Sequence, residues 1–200
     1  MTDRFTGLEK IPNEPAMRML AMANVALDTQ LSSPANATVE TVMEELDSVG
    51  AIVDQIRLMA VALPPRERVW WACLAAQDMV GDGEKTAPLL TAEAWVRKPS
   101  PENRHACDVA VNQASPKDQT VNCGFAVVYS DGTIGEGERA AIDAPPGGSA
   151  ISAMVMNADA MGMREDDAMD YAAMLIDRAV DIARGGDGRV EIKTGTAASE

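Results

Sequence analysis

Two hundred residues are enough for one domain with a buried core. Thirty-one acidic against seventeen basic side chains give a formal charge of −14, which repels phosphate backbones and anionic lipid. Nucleic acid and membrane surfaces are therefore excluded as partners, and a protein partner, if charge selects it, is a basic one.

With 46% hydrophobic but only 4% aromatic residues, the core must come from Ala, Val, Ile, Leu and Met, small side chains that let helices approach closely. Residues 1–12 lack periodicity, contain Gly7 and Pro12, and read as a flexible arm. Asn13 suits a helix cap with Glu14 and Pro15 in the first turn, after which Met17, Leu20, Ala21, Asn24, Val25 and Leu27 recur at helical spacing. Residues 31–37 form a linker, Thr38 caps the next helix, and Val39, Val42, Met43 and Leu46 make its apolar stripe. Gly50 marks a break or kink before Ile52, Val53, Ile56, Leu58, Met59 and Val61 continue the pattern.

Residues 60–80 organise the chain. Pro64 and Pro65 sit where a helix can begin, because a first turn does not need the missing N–H, and Glu67 complements the helix dipole. At a hundred degrees per residue, Val69, Cys73, Ala76 and Val80 share one face, which Trp70 and Leu74 extend on one side and Ala72 and Met79 on the other. Little polar surface remains, so this is a central, mostly buried helix. Arg66 and Gln77 fall on one line with Trp70 and Cys73, two polar heads bracketing the apolar stripe. They either snorkel to solvent at the helix ends or frame a groove floored by Trp70.

The turn Gly81-Asp82-Gly83-Glu84-Lys85-Thr86 imitates the tail of a phosphate loop, but a helix precedes it and the glycine spacing fails. Residues 87–96 read as a short helix with Leu89, Leu90, Ala94 and Trp95 inward, closed by Arg97, Lys98 and Pro99. Ser100-Pro101-Glu102 is a strong start signal for a helix to about Ala114. That helix carries the only histidine, His105, with Glu102 and Asp108 three residues away on either side, so a carboxylate could orient its imidazole. Ser115-Pro116-Lys117-Asp118 repeats the cap pattern. Val121, Phe125, Val128 and Tyr129 then form a stripe in which 125–129 is helix or strand, the helical surroundings favouring helix.

Residues 130–138 resemble the back half of a calcium loop, but Val127 and Tyr129 stand where the front carboxylates belong. After the breaker at 144–148, Ser149 suits a cap for a helix with Ile151, Met154, Val155, Ala158 and Met161, which Gly162 ends. Six of the thirteen methionines lie between Met154 and Met174, a spacing that fills cores more often than it makes a soft surface. The last helix opens on Glu165-Asp166-Asp167 and is cleanly amphipathic, with Asp170, Asp177, Arg178, Asp181 and Arg184 on its polar arc. Gly185-Gly186-Asp187-Gly188 stops it, and 187–200 reads as a disordered tail.

Cys73, Cys107 and Cys123 are odd in number and lack paired spacing, so neither a disulfide framework nor a zinc ribbon is indicated and a reducing cytoplasm fits. No signal peptide or membrane span is read: Asp3, Glu9 and Glu14 crowd the start, and the apolar run 19–23 is too short. No cofactor, metal site or nucleophile–base pair emerges.

The runs Ala62-Leu63-Pro64-Pro65-Arg66-Glu67 and Val69-Trp70-Trp71-Ala72-Cys73-Leu74-Ala75 resemble an uncharacterised bacterial all-helical family, a domain of unknown function with a Leu-Pro-Pro-Arg-Glu, Val-Trp-Trp-Ala-Cys signature. The similarity extends through 92–96, 99–104 and 181–185, covering about residues 50–186 as one domain, and departs between Gly124 and Ser149. The resemblance implies an all-helical fold and an accessory role in bacterial gene clusters such as those of type VI secretion; it transfers no catalytic residue.

The expectation is thus an all-α protein, a single compact domain of about seven or eight helices over 13–186, with flexible tails. Its expected function is that of a non-enzymatic accessory or protein-interaction module. The alternative is a small-ligand sensor or enzyme with a pocket near Arg66, Trp70 and Gln77. Candidate interaction or pocket residues are Arg66, Trp70, Trp71, Gln77, Trp95 and His105.

Overall fold

The computed structural model describes residues 4–135 and 137–190. Those residues form nine α-helices: α1 (Ala16–Met22), α2 (Val39–Ser48), α3 (Ile52–Ala62), α4 (Pro65–Val80), α5 (Ala87–Arg97), α6 (Pro101–Gln113), α7 (Val121–Val128), α8 (Gly148–Gly162) and α9 (Ala168–Ala183), with a 3₁₀ turn at Gly137–Ala141. The only β pairing among them is an isolated antiparallel bridge between Thr133 and Asp143. The all-α expectation therefore holds. No helix in the described residues is long and apolar enough to cross a membrane.

Local chemistry explains most boundaries. Thr38, Thr86 and Ser100 each accept a hydrogen bond from the backbone N–H three residues on, the arrangement that satisfies an orphan donor in a helical first turn. Gly50 adopts φ +68°, where a side chain is strained, so α2 and α3 are separated by a full break and not by a kink. Residues 125–128 are helical, part of α7.

α4 lies at the centre, packed against α5, α7, α8 and α9. Its Val69, Trp71, Ala72, Cys73, Leu74, Ala75 and Ala76 are all buried, as its lack of a polar face requires. Arg68, just inside its start, donates to the carbonyl oxygens of Ala60, Val61 and Leu63 at 2.5–2.9 Å and so caps the end of α3. Burial lowers the Arg68 pKa to about 10.

Four local expectations are corrected. Residues 4–12 are not a flexible arm: Phe5 is 1% exposed and Leu8 is buried. Arg4 bridges Asp47 and Asp177, and the Lys10 N–H donates to the Ala183 carbonyl at 2.8 Å. One aromatic side chain that finds core space outweighs the absence of periodicity. Residues 1–3 lie outside the described residues. Second, Ser115 caps no helix. Its segment is a turn in which Asp118 accepts from the Thr120 N–H at 2.9 Å, and α7 starts later, at Val121.

Third, Ser149 lies inside α8, where its hydroxyl donates to the Ala126 carbonyl at 2.7 Å and ties α8 to α7; the N-cap is Gly147. Fourth, α9 begins at Ala168 and not at Glu165, because Asp167 forms a two-bonded pair with Arg164 in the preceding turn.

Candidate functional site

A charged cleft of about 440 Å³ opens beside the first half of α4. Trp70 lies along it, flanked by Arg66 and Glu67 from α4, Glu93, Val96 and Arg97 from α5, Ile182 from α9, the following turn through Arg189, and Lys10 from the anchored N-terminal segment. Consecutive tryptophans point to different faces, about a hundred degrees apart on one helix. Trp71 is fully buried and donates from Nε1 to the Leu175 carbonyl at 2.9 Å. Trp70 remains partly exposed and donates from Nε1 to the Asp187 carbonyl at 2.7 Å, while the Arg189 guanidinium lies 5.9 Å from its ring centroid.

The turn after α9 is shaped to reach Trp70. Gly188 has φ +71°, and a Cβ there would lie 2.8 Å from side-chain atoms of Ile182 and Leu74. Its N–H donates to Asp181 Oδ2 at 2.8 Å. Asp181, expected to be a solvated carboxylate on the polar arc, thus fixes the turn that closes one wall of the cleft.

Glu93 forms the other wall. Its side chain is 7% exposed, and Oε1 accepts from Gln77 Nε2 at 2.8 Å and from Lys85 Nζ at 2.5 Å. Among the described residues Oε2 has only Arg97, at 3.8 Å, beyond hydrogen-bonding distance. Arg66 donates from Nε to the Val96 carbonyl at 2.7 Å, joining α4 to the last turn of α5.

Of the six sequence candidates, Arg66 and Trp70 line the cleft, and Gln77 stands behind it, holding Glu93. Trp71 and Trp95 are core residues. His105 lies exposed on α6, and of the two carboxylates offered to orient it Asp108 is taken elsewhere, accepting from Arg139 Nη1 with both oxygens at 2.9 Å. Lys10, Glu93, Arg97, Asp187 and Arg189 were not anticipated. Arg97 reads as a helix-end cation and Arg189 as tail, and no periodicity brings residue 10 beside residue 185.

The chemistry of the interior is passive. All three cysteines are buried and unpaired. A hydrogen bond that the Cys73 thiol donates to Cys123, together with burial, pushes Cys73 well above its ordinary range, and burial pushes Cys107 up to about 11, so neither is a ready thiolate. In the loop resembling a calcium site, Asp131 accepts from the Thr133 N–H at 2.9 Å and pairs with the buried Arg104 at 2.7 Å, so its oxygen is committed to the protein.

Fold and cleft define a helical domain with one tryptophan-walled, charge-lined recess. The chain belongs to the family of unknown function DUF6931, whose model matches residues 42–183. No curated protein and no solved structure matches it.

Proposed function

We propose that this protein is a non-enzymatic accessory module of a bacterial cytoplasmic system that captures a protein partner at the Trp70 cleft. The observation that carries this reading is the division of labour between adjacent indoles: Trp71 is spent on the core, while Trp70 is held in place by Asp187 with part of its surface left to solvent. A partly exposed, oriented tryptophan beside arginines has the composition of an interface hot spot. The raised pKa values of the buried Cys73 and Cys107 thiols support a binding role over nucleophilic catalysis at those residues. The signature at 62–75 supports the further proposal that the system is linked to type VI secretion.

The test is capture under crosslinking from the native host. Wild-type protein is expected to retain a stoichiometric partner that Trp70→Ala loses while its helical circular dichroism is unchanged. Equal capture by both, or no stoichiometric partner, overturns the reading. A small-ligand sensor or enzyme is the second reading, favoured by a cleft volume within the usual range of ligand pockets. A thermal shift with a metabolite panel that vanishes in Arg66→Ala would select it.

A further inference from the structure

The chain has nearly twice as many acids as bases, so an arginine without a close carboxylate is unusual in it. Arg4, Arg18, Arg57, Arg104, Arg139, Arg164 and Arg178 each have a carboxylate oxygen within 2.9 Å. Arg68 and Arg184 are taken up by backbone carbonyls. Around the cleft the pattern changes. Arg97 is 3.8 Å from Glu93, Arg189 is 3.9 Å from Asp187, and Arg66 has, among the described residues, a single carbonyl partner at its Nε. Three guanidinium groups with donors to spare converge on one recess.

Beside them is the complementary deficit. Glu93 is a buried carboxylate with one oxygen saturated and the other, Oε2, lining the cleft without a hydrogen-bond donor. Oε2 still reaches solvent, so an occupant that covers it must supply a donor in place of water. A bare anion would suit the arginines and leave Glu93 unmet, and an apolar ligand would satisfy neither. A peptide carries side-chain carboxylates and backbone N–H groups on one strand.

Resting on the reading of this cleft as the binding surface, we propose that its occupant is an acidic segment of a protein partner. An aromatic or aliphatic side chain lies on Trp70, neighbouring Asp or Glu carboxylates engage Arg66, Arg97 and Arg189, and a backbone N–H donates to Glu93 Oε2. The formal charge of −14 suits a basic partner at long range, but that field is screened beyond about 8 Å at physiological ionic strength. Selection then falls to the groups in contact, where Lys10, Arg66, Arg97 and Arg189 stand against Glu67, Glu93 and Asp187 and the donors left over belong to the guanidinium groups.

The test is titration of the full chain with acetyl-Glu-Phe-Asp-Phe-Glu-amide, read by calorimetry and by tryptophan emission. Trp71 and Trp95 are buried, so Trp70 reports. Two further peptides replace the acids by Gln and Asn or by Lys, and N-acetylphenylalanine is the monomer control. The acidic peptide is expected to bind saturably and about tenfold or more tighter than the neutral one, a modest return for desolvated charge pairs. In Arg97→Gln/Arg189→Gln, acidic-peptide affinity falls by a several-fold larger factor than neutral-peptide affinity, the residual preference being that of Arg66; Arg97→Lys/Arg189→Lys retains more of the preference. A general structural defect would weaken both peptides alike.

Equal affinities across the series, a preference for the Lys peptide, no binding by any peptide, or N-acetylphenylalanine binding as tightly as the pentapeptide overturns the acidic-segment assignment. The native-partner capture separates the two levels. A partner retained by Arg97→Gln/Arg189→Gln and lost by Trp70→Ala leaves the cleft and removes the acidic segment. A partner retained by both removes the cleft.

Discussion

The two ends of α4 treat arginine in opposite ways. At the C-terminal end, Asp78 accepts from Tyr171 Oη at 2.8 Å and from Arg178 Nη1 at 2.5 Å, and Arg164 lies 4.9 Å over the Tyr171 ring while pairing with Asp167. There the charges are paired at hydrogen-bonding distance, with Arg178 Nε left buried and without a partner among the described residues, and burial drives the Tyr171 hydroxyl to a raised pKa. At the N-terminal end, Arg66, Arg97 and Arg189 surround Trp70 without a carboxylate in hydrogen-bonding range. Closed polar networks lock helices together, and open ones hold capacity for something else. One helix thus serves as core strut at one end and as recognition wall at the other.

The largest expected effect tests this division on adjacent residues. Trp71→Ala removes a fully buried indole and leaves the Leu175 carbonyl without its donor, for a loss of about 3–5 kcal/mol in urea unfolding. Trp70→Ala, losing partial burial and one hydrogen bond, costs only about 1–2 kcal/mol. Equal losses at the two positions would end the distinction between strut and wall.

Removing one charge from each end sharpens it. Asp78→Ala strands the nearly buried Arg178 and costs about 2 kcal/mol, less than a fully buried pair because Asp78 is partly exposed. Arg97→Gln removes a side chain that is 68% exposed and weakly paired, and shifts stability by no more than about 0.5 kcal/mol. Chemical denaturation of both variants checks the contrast.

Protonation extends the comparison to the interior. Burial raises the Cys107 pKa from 9.0 to about 11, so the folded state holds that proton more tightly than the unfolded chain. The resulting stability is complete below pH 9.0 and is lost as pH rises through about 11, at up to about 1.4 kcal/mol per unit. Denaturation of Cys107→Ala between those limits should show a shallower decline than wild type. A further stability effect belongs to the cleft wall. Gly188→Ala forces a side chain into φ +71° and against Ile182, costing about 1 kcal/mol. Its main readout is a red-shifted Trp70 emission as the Asp187 carbonyl withdraws.

The sequence placed Arg66 and Trp70 together because they share one helix and four residues make one turn. It also identified the helix as central, since a segment with no polar face has nowhere else to go. Glu93 escaped notice because its apolar neighbours at 89–96 mark it only as the polar member of a short helix, and its burial depends on Gln77 and Lys85 arriving from elsewhere. Lys10 and Arg189 were assigned to an arm and a tail, because segments without periodicity carry no local sign of docking. Of the expected tail, residues 187–190 form the cleft wall through Asp187 and Arg189, and 191–200 lie outside the described residues.

By itself the sequence determined what depends on neighbours within a turn or two: the helical class, the caps at Thr38 and Ser100 and the burial of α4. Only the tertiary structure decided which of two adjacent tryptophans faces out, which arginines lack carboxylates, and that residues 10, 70, 93 and 189 share one recess. Periodicity is a local constraint set by backbone geometry, whereas charge pairing and cleft formation depend on contacts between residues far apart in the chain, which helical spacing does not encode.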